Sequence, residues 1–346
     1  MDFKPNYIIT ERLLANIKRI TRLVSDLNSR SYAKVVLIEL EQRANSLSVF
    51  ASTSIEGNPL PLTDVKRLLK THPKTIRDSE KEVLNYNRAL QKLNKLTAKK
   101  EIVLDAETIL STQTQVVDGL MIGSKIGIWR NEPVFVHNPK TSSLAYLPPN
   151  HKDVPKLMAD LIQYVAWSKE SVDPLIVAGI FHKQFVIIHP FLDGNGRTAR
   201  LITKLLLARM GLNTFNLFSF ENYYNHNVTT YFDYVGVKGN YYDIADSINF
   251  TEWLEYFTDG IIDELLRVSK ELARVISTPQ TTLKDHHKKI IDYINEHGFI
   301  TDAQYANLTK RARPTRHKDL RRLIELGLIQ KHGAGKATYY KLLSSE

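Results

Sequence analysis

"HPFLDGNGRTAR", residues 189–200, lies between two apolar runs, "AGIFHKQFVII" and "LITKLLLARM". Gly194, Asn195 and Gly196 let the backbone turn tightly with its amide groups pointing inward. A helix is expected to begin just after Gly196, and the unpaired amides at its start favour an anion. Arg197 and Arg200 are three apart, so both can share one face of that helix and offer forked donors to phosphate oxygens. Asp193 supplies a hard carboxylate of the kind that holds Mg²⁺ against phosphates. His189 is the side chain best suited to take a proton near neutral pH. Each feature is weak alone, since a histidine at a helix end is usually structural. Together they describe a phosphoryl- or nucleotidyl-transfer site.

The rest of the chain reads as mostly helical. "SYAKVVLIELEQRANSLSVFAS" has apolar residues at Val36, Leu40, Leu47 and Phe50, with Ser31 as candidate N-cap. Gly57 suits the position just past the end of that helix, and Pro59 forbids its continuation. Glu56 therefore sits at the negative end of a helix dipole, disfavoured by roughly 0.3–1 kcal/mol. Such a carboxylate is either solvated or paired with a cation from elsewhere. "LTDVKRLLKTH" follows, with Thr63 or Asp64 as its cap. "SEKEVLNYNRALQKLNKL" places Val83, Tyr86, Leu90 and Leu93 on one side. Alternation in "PVFVH" predicts a short strand or hairpin. Helices resume at "KDVPKLMADLIQYVAW", and the Tyr- and Asn-rich stretch 213–250 has no clear period. "TEWLEYFTDGIIDELLRVSKELARVI" is a long helix, and "STPQTT" a linker.

Composition narrows the classes. The 346 residues are 43% hydrophobic and 24% charged, as in ordinary globular domains. With no cysteine, disulfides, zinc–thiolate sites and thiol nucleophiles are excluded. No run approaches the ~18 apolar residues of a membrane helix, and "MDFKPNYIITERLL" has no leader pattern, so a cytoplasmic protein without membrane attachment is the expectation. The formal charge is +10. From Lys284 onward, 13 Lys and Arg face 7 Asp and Glu, a net +6 concentrated in the last sixth of the chain. There "LKDHHKKIIDYINEHG", "TDAQYANLT" and "PTRHKDLRRLIELGLI" precede a Gly-punctuated hairpin, "IQKHGAGKATYYKLL". Three helices and a two-stranded wing are the pattern of a winged helix-turn-helix. Arg316, Lys318, Arg321 and Arg322 are its candidate DNA contacts. Protein contacts, including a homodimer, are the other use of such a unit.

The motif resembles that of the Fic proteins, H-P-F-x-[DE]-G-N-G-R-x-x-R, at every specified position, and the resemblance covers roughly residues 30–260. It implies a mainly α fold: a Fic-type helical bundle with a small β-hairpin flap, here joined to the C-terminal winged helix. The implied organisation is an N-terminal helical region 1–100 containing an inhibitory helix (about 31–57), a catalytic core 101–276 and a winged-helix domain 283–346.

The implied function is protein adenylyltransfer, in which AMP passes from ATP to a Ser, Thr or Tyr hydroxyl of a target protein or of the enzyme itself. His189 would deprotonate that hydroxyl, and Asp193 would hold Mg²⁺. Gly194, Asn195, Gly196, Arg197, Thr198, Ala199 and Arg200 would bind the nucleotide's phosphates. Tyr231, in "YFDYV", would contact the adenine, although the pair of aromatics departs from the family's Tyr-Tyr. Val134, Phe135, Val136 and His137 fall where the family's flap holds a target by strand addition. "STSIEG", residues 52–57, matches the family's inhibitory signature [ST]-x-x-x-E-[GN], which implies that Glu56 pairs with Arg200 and keeps the enzyme inactive. The resemblance also allows removal of AMP by the inhibited form, and donors other than ATP. The rival reading is a DNA-binding transcriptional regulator whose Fic core senses nucleotide.

Overall fold

The computed structural model describes residues 3–29, 34–71, 76–98, 104–137, 144–208, 211–212, 216–277, 283–326 and 328–343. Ser31 and most of the "STPQTT" linker lie outside these residues. Helices dominate in the order α1 (Glu11–Asn28), α2 (Lys34–Ile55), α3 (Leu62–Thr71), α4 (Asp78–Ala98) and α5 (Ala106–Val116). Two short strands follow, β1 (Val136–His137) and β2 (Leu144–Leu147), then α6 (Val154–Trp167), α7 (Pro174–Ile188) and α8 (Asn195–Ala208). Next come α9 (Glu221–His226), α10 (Val228–Val235), β3 (Gly239–Asn240), α11 (Tyr241–Ile244) and α12 (Thr251–Ser277). The chain divides into two compact units, Met1–Arg30 with Arg43–Val268, and Ser31–Gln42 with Ser269–Glu346.

In the larger unit α7 is the axis, because its sequence is apolar all round and almost every residue of it is buried. Its neighbours α6 and α8 pack along it, and α4 and α5 close over α8. Gly179 permits the nearest approach of α12. A Cβ there would lie 2.6 Å from Leu254 Cδ2, and the Gly179 carbonyl accepts a bond from Trp253 Nε1 at 2.7 Å. The polar residues of α7 are satisfied in place. His182 bonds Thr203 Oγ1 and the Tyr231 hydroxyl, both at 3.0 Å, and burial keeps its ring neutral.

The stretch 216–250 acquires order from ring packing rather than period. Tyr224 stacks on Tyr231 at 4.5 Å, and Tyr234 stacks on Tyr256 at 4.6 Å. That is why α9 and α10 form where no amphipathic pattern announces them. Two further boundaries differ from expectation. Helix α3 opens one residue early, on the Pro61 carbonyl, which accepts from Asp64 and Val65, so neither Thr63 nor Asp64 is its cap. Helix α8 starts at Asn195, inside the glycine-rich turn.

The expected hairpin is part of a three-stranded sheet. β1 pairs antiparallel with β2, which pairs in parallel with β3, so among the described residues β1 and β3 are both edge strands. Only Val136 and His137 of the flap segment are strand; Val134 and Phe135 precede it in extended chain, and Phe135 is exposed.

The smaller unit contains α13 (Asp285–His297), α14 (Asp302–Leu308), α15 (Arg313–Glu325) and the antiparallel pair β4 (Ile329–His332) and β5 (Tyr339–Leu342). Ile290, Ile294, Ile300, Tyr305, Leu320, Leu323 and Ile329 form its own core. Arg316, expected to face outward, instead makes a two-pronged ion pair with Asp302 at 2.8–2.9 Å. Lys318, Arg321 and Arg322 are exposed.

Gly179→Val would force three carbons into the α7–α12 contact. It is expected to cost about 1–3 kcal/mol, read as a lowered urea midpoint with an unchanged slope.

Candidate active site

Helix α2 ends in a hydrogen-bonded stop. Gly57 lies in the left-handed region at φ 92°, its amide bonds the Ser54 carbonyl, and the Asn58 amide bonds the Thr53 carbonyl. This is the Schellman arrangement, and it places Glu56 at the last turn. The Glu56 carboxylate accepts from Arg200 Nη2 at 2.6 Å. Arg200 is wholly buried; its Nε also donates to Ser52 Oγ at 2.8 Å and its Nη2 to the Ser52 carbonyl at 2.9 Å. Burial alone would weaken the guanidinium's hold on its proton, but Glu56 more than offsets this, and the pKa rises. Gly196 makes the pair possible, since a Cβ there would overlap the Glu56 carboxylate. Nη1 of Arg200 is buried with no hydrogen-bond partner, a donor left for an anion's oxygen.

His189 caps α7 in the left-handed conformation, φ 52° and ψ 61°, which costs a non-glycine residue about 1–2 kcal/mol. Buried Arg130 holds it there. Its Nε donates to the His189 carbonyl at 2.8 Å, its backbone amide to the Pro190 carbonyl at 2.8 Å, and its Nη2 to the Pro149 carbonyl. The Tyr146 hydroxyl from β2 donates to the Ile187 carbonyl at 3.0 Å. His189 Nδ1 lies 3.2 Å from the Val186 carbonyl. A carbonyl only accepts, so Nδ1 carries the proton and Nε2 of the neutral ring keeps its lone pair. Burial lowers the pKa of His189, with Arg130 adding to the fall.

The loop after His189 folds back on itself. The Asn195 side chain accepts from the Phe191 amide and donates to the Phe191 carbonyl, both at 2.8 Å. Its polar atoms thus brace the turn. Gly194 adopts φ 82°, and Gln113 of α5 donates to the Asp193 carbonyl at 3.2 Å while accepting from the Gly127 amide at 2.8 Å. Asp193 is half exposed; its Oδ1 accepts from the Gly194 amide at 2.6 Å and from Arg197 at 2.7 Å.

Arg197 is buried between two carboxylates, Asp193 and Glu82 of α4, the latter also at 2.7 Å. Glu82 in turn accepts from Asn58 Nδ2 at 2.6 Å, which joins the end of α2 to the same cluster. Thr198 and Ala199 are fully buried on the core side of α8, and they offer no surface to a ligand. Tyr231 is 1% exposed and bonds His182 behind Arg200, and burial pushes its pKa up to about 12. Its neighbour Phe232 is exposed.

The site as expected from sequence is therefore assembled in part. His189, Asp193, Gly194, Gly196 and Arg200 lie on one loop and the helix that follows it, and Glu56 reaches Arg200 from the end of α2. Arg130, Glu82, Gln113 and Ser52 have roles there that only the fold reveals. A fifth missed contact is Lys204 of α8, whose Nζ donates to Ser48 Oγ of α2 at 2.6 Å and pairs with buried Glu221 at 3.2 Å. Arg130, the one cation in the stretch "GIWRNEPVFV", is the one such residue that the sequence itself could have flagged.

Residues 103–207 match the family model described as Fic/DOC. They form a Fic domain. The chain is 27% identical to the protein adenylyltransferase Fic of Aedes aegypti over 268 residues, 75% of this chain and 49% of that protein. It is 32% identical to the protein adenylyltransferase fic-1 of Caenorhabditis elegans over 170 residues, 48% of this chain and 32% of that protein. The chain thus spans between about a third and a half of the length of the curated relatives it matches. Among solved structures, a Fic family protein from Desulfovibrio desulfuricans aligns over 99% of both chains with a TM-score of 0.67 at 20% identity. The fic-1 structure from C. elegans covers 76% of this chain and 74% of that one, with a TM-score of 0.58 at 22% identity. Both likenesses are of fold.

Two predictions rest on His189. Arg130→Ala, which frees the His189 and Ile188 carbonyls while keeping the backbone bond to Pro190, is expected to lower kcat of the transfer proposed below by about 10²-fold with little change in KM for nucleotide, measured in a Glu56→Gly background. The pH dependence has a defined sign. A histidine with a lowered pKa is a neutral base at pH 7 and is protonated only below its ordinary value of about 6.5, so turnover should hold level down to that pH and decline beneath it.

Proposed function

We propose that the chain is a protein adenylyltransferase that moves AMP from ATP to a hydroxyl side chain of a target protein or of itself, held inactive by Glu56. The observation that carries this reading is the Glu56–Arg200 pair: a carboxylate sits on a buried guanidinium at the start of the Fic helix, where a phosphate would otherwise bind. Curated relatives are named adenylyltransferases, which supports ATP as the donor.

In the proposed reaction Nε2 of His189 accepts the proton of the target hydroxyl. The oxygen forms a bond to the α-phosphorus as the bond to the bridging β-oxygen breaks, and pyrophosphate departs. His189 is positioned for this by Arg130, and its lowered pKa leaves it able to act as the base near neutrality. Arg200, once clear of Glu56, offers Nη1 and Nη2 to the distal phosphate. Asp193 is the residue that would hold Mg²⁺: a half-exposed hard carboxylate with Oδ1 fixed by Gly194 and Arg197 fits that ion. Mg²⁺, when bound, supplies neutralisation of phosphate charge. β1, an edge strand of the flap sheet, would receive an extended target segment along its edge. Residues 101–276 would form the catalytic core and 283–346 the winged-helix domain. A DNA-binding role for the latter draws less support, because Arg316 is spent on Asp302 and Arg311 on Asp319.

Glu56→Gly should raise incorporation of labelled AMP from ATP by about 10–100-fold, and adding His189→Ala should abolish it. Equal incorporation by wild type and Glu56→Gly would refute the inhibitory role. The same substitution strips an ion-pair partner from buried Arg200, while Ser52 keeps its two contacts. A stability loss of about 1–3 kcal/mol is expected. ATP should then raise the melting temperature of Glu56→Gly more than that of wild type.

A further inference from the structure

Helix α13 opens with Asp285-His286-His287, and both imidazoles turn into the small unit, with side chains 15% and 10% exposed. Their Nε2 atoms lie 3.3 and 3.5 Å from Oδ1 of Asp319 on α15, itself buried, and the three donor atoms are all within 4.8 Å of one another. Neither Nε2 makes a hydrogen bond. Two inward-facing ring nitrogens converge on one carboxylate oxygen without a well-aligned hydrogen bond, an arrangement that leaves each of them incompletely satisfied in a small core. A structural carboxylate would not require them, because Asp319 already accepts from the Tyr305 hydroxyl at 2.7 Å and faces Arg311.

The spacing matches a metal's coordination shell. Nitrogen and oxygen donors at about 2.0–2.1 Å around a tetrahedral ion stand about 3.3–3.4 Å apart. Two of the three edges of the triangle already have that length. We propose that His286, His287 and Asp319 form a binding site for a divalent transition-metal ion of the zinc class, with water in the fourth position. The chain has no cysteine, so the site would be all nitrogen and oxygen, a donor set that suits Zn²⁺ and its neighbours better than Mg²⁺.

Arg311 holds the cation's place. Its Nε lies 2.8 Å from Asp319 Oδ2, its Nη2 donates to Oδ1 at 3.3 Å, and its Nη1 lies 3.4 Å from His286 Nδ1. A buried carboxylate needs such a counter-charge when no ion is bound. Coordination through Nε2 of His286 puts the remaining ring proton on Nδ1, which removes the acceptor facing Arg311 Nη1. The ion also repels the guanidinium. Arg311 is one-third exposed and lies between α14 and α15, so it can swing outward to water. Tyr305 stays on Oδ2 and keeps Oδ1 turned toward the ion. The ion and the arginine are therefore alternatives on one carboxylate.

The test titrates the full chain with Zn²⁺ alone, in excess Mg²⁺, by calorimetry, and repeats it with Co²⁺ to read the d–d absorption of a nitrogen–oxygen site. One ion per chain is expected, with a Kd below about 10 µM. His286→Ala and His287→Gln should each weaken binding by at least about 30-fold. Arg311→Gln should tighten it by about tenfold, as a competing positive charge is removed. His286→Ala, the less buried of the two histidine variants, secures the outcome if His287→Gln fails to fold. Absence of binding at this level would overturn the proposal, as would an affinity unchanged in the folded histidine variants. Weaker binding by Arg311→Gln would overturn the exchange of cations on which it rests.

Discussion

A guanidinium with no solvent contact must have an anion beside it, and Arg200 is the point on which the larger unit's organisation turns. Its partner in this structure is Glu56, carried by the end of α2. Left to itself the helix end disfavours that carboxylate by roughly 0.3–1 kcal/mol. Removing that partner from a buried guanidinium that keeps its Ser52 contacts costs about 1–3 kcal/mol, and the larger quantity decides where the helix docks. Ser52 adds two acceptors to the same guanidinium, one turn back along α2. Ser48, one turn further, takes the ammonium of Lys204. Helix α2 is thus fastened to α8 at three successive turns, only one of which involves its glutamate.

The catalytic loop depends on support from the opposite direction. His189 occupies a backbone region that side chains avoid, and the carbonyls that this geometry exposes are met by Arg130 and Tyr146 from the flap side. The flap sheet therefore serves two purposes in the proposed enzyme. One edge is presented outward, while its side chains fix the base. On the other flank Glu82 and Asp193 share Arg197, and Asn58 ties Glu82 to the end of α2. The proposed metal-binding carboxylate and the end of α2 are connected through one buried arginine.

The amphipathic helices were legible because their periods survive in the linear chain: Val83, Tyr86, Leu90 and Leu93 are all buried, as their spacing predicts. The stop at Gly57 was legible because only one local geometry accommodates a glycine followed by Asn-Pro. Residues 216–250 were not, since ring stacking between Tyr224, Tyr231 and Tyr256 leaves no regular interval. The bracing role of Asn195 was not legible for a different reason. An amide that braces a turn and one that binds a phosphate look identical until the partner of each atom is known.

The sequence by itself determined the chemistry on offer: an imidazole, a carboxylate, two arginines and a glycine turn within twelve residues, together with a glutamate at a helix end. These are local properties of side chains and short-range backbone geometry. Tertiary structure decided how those groups are used. It turned Asn195, Thr198, Ala199 and Tyr231 inward, divided Arg197 between Asp193 and Glu82, and brought Arg130 to His189 across 59 residues. Those outcomes depend on which buried polar atom meets which partner across long stretches of chain, a pairing set by packing and desolvation rather than by spacing.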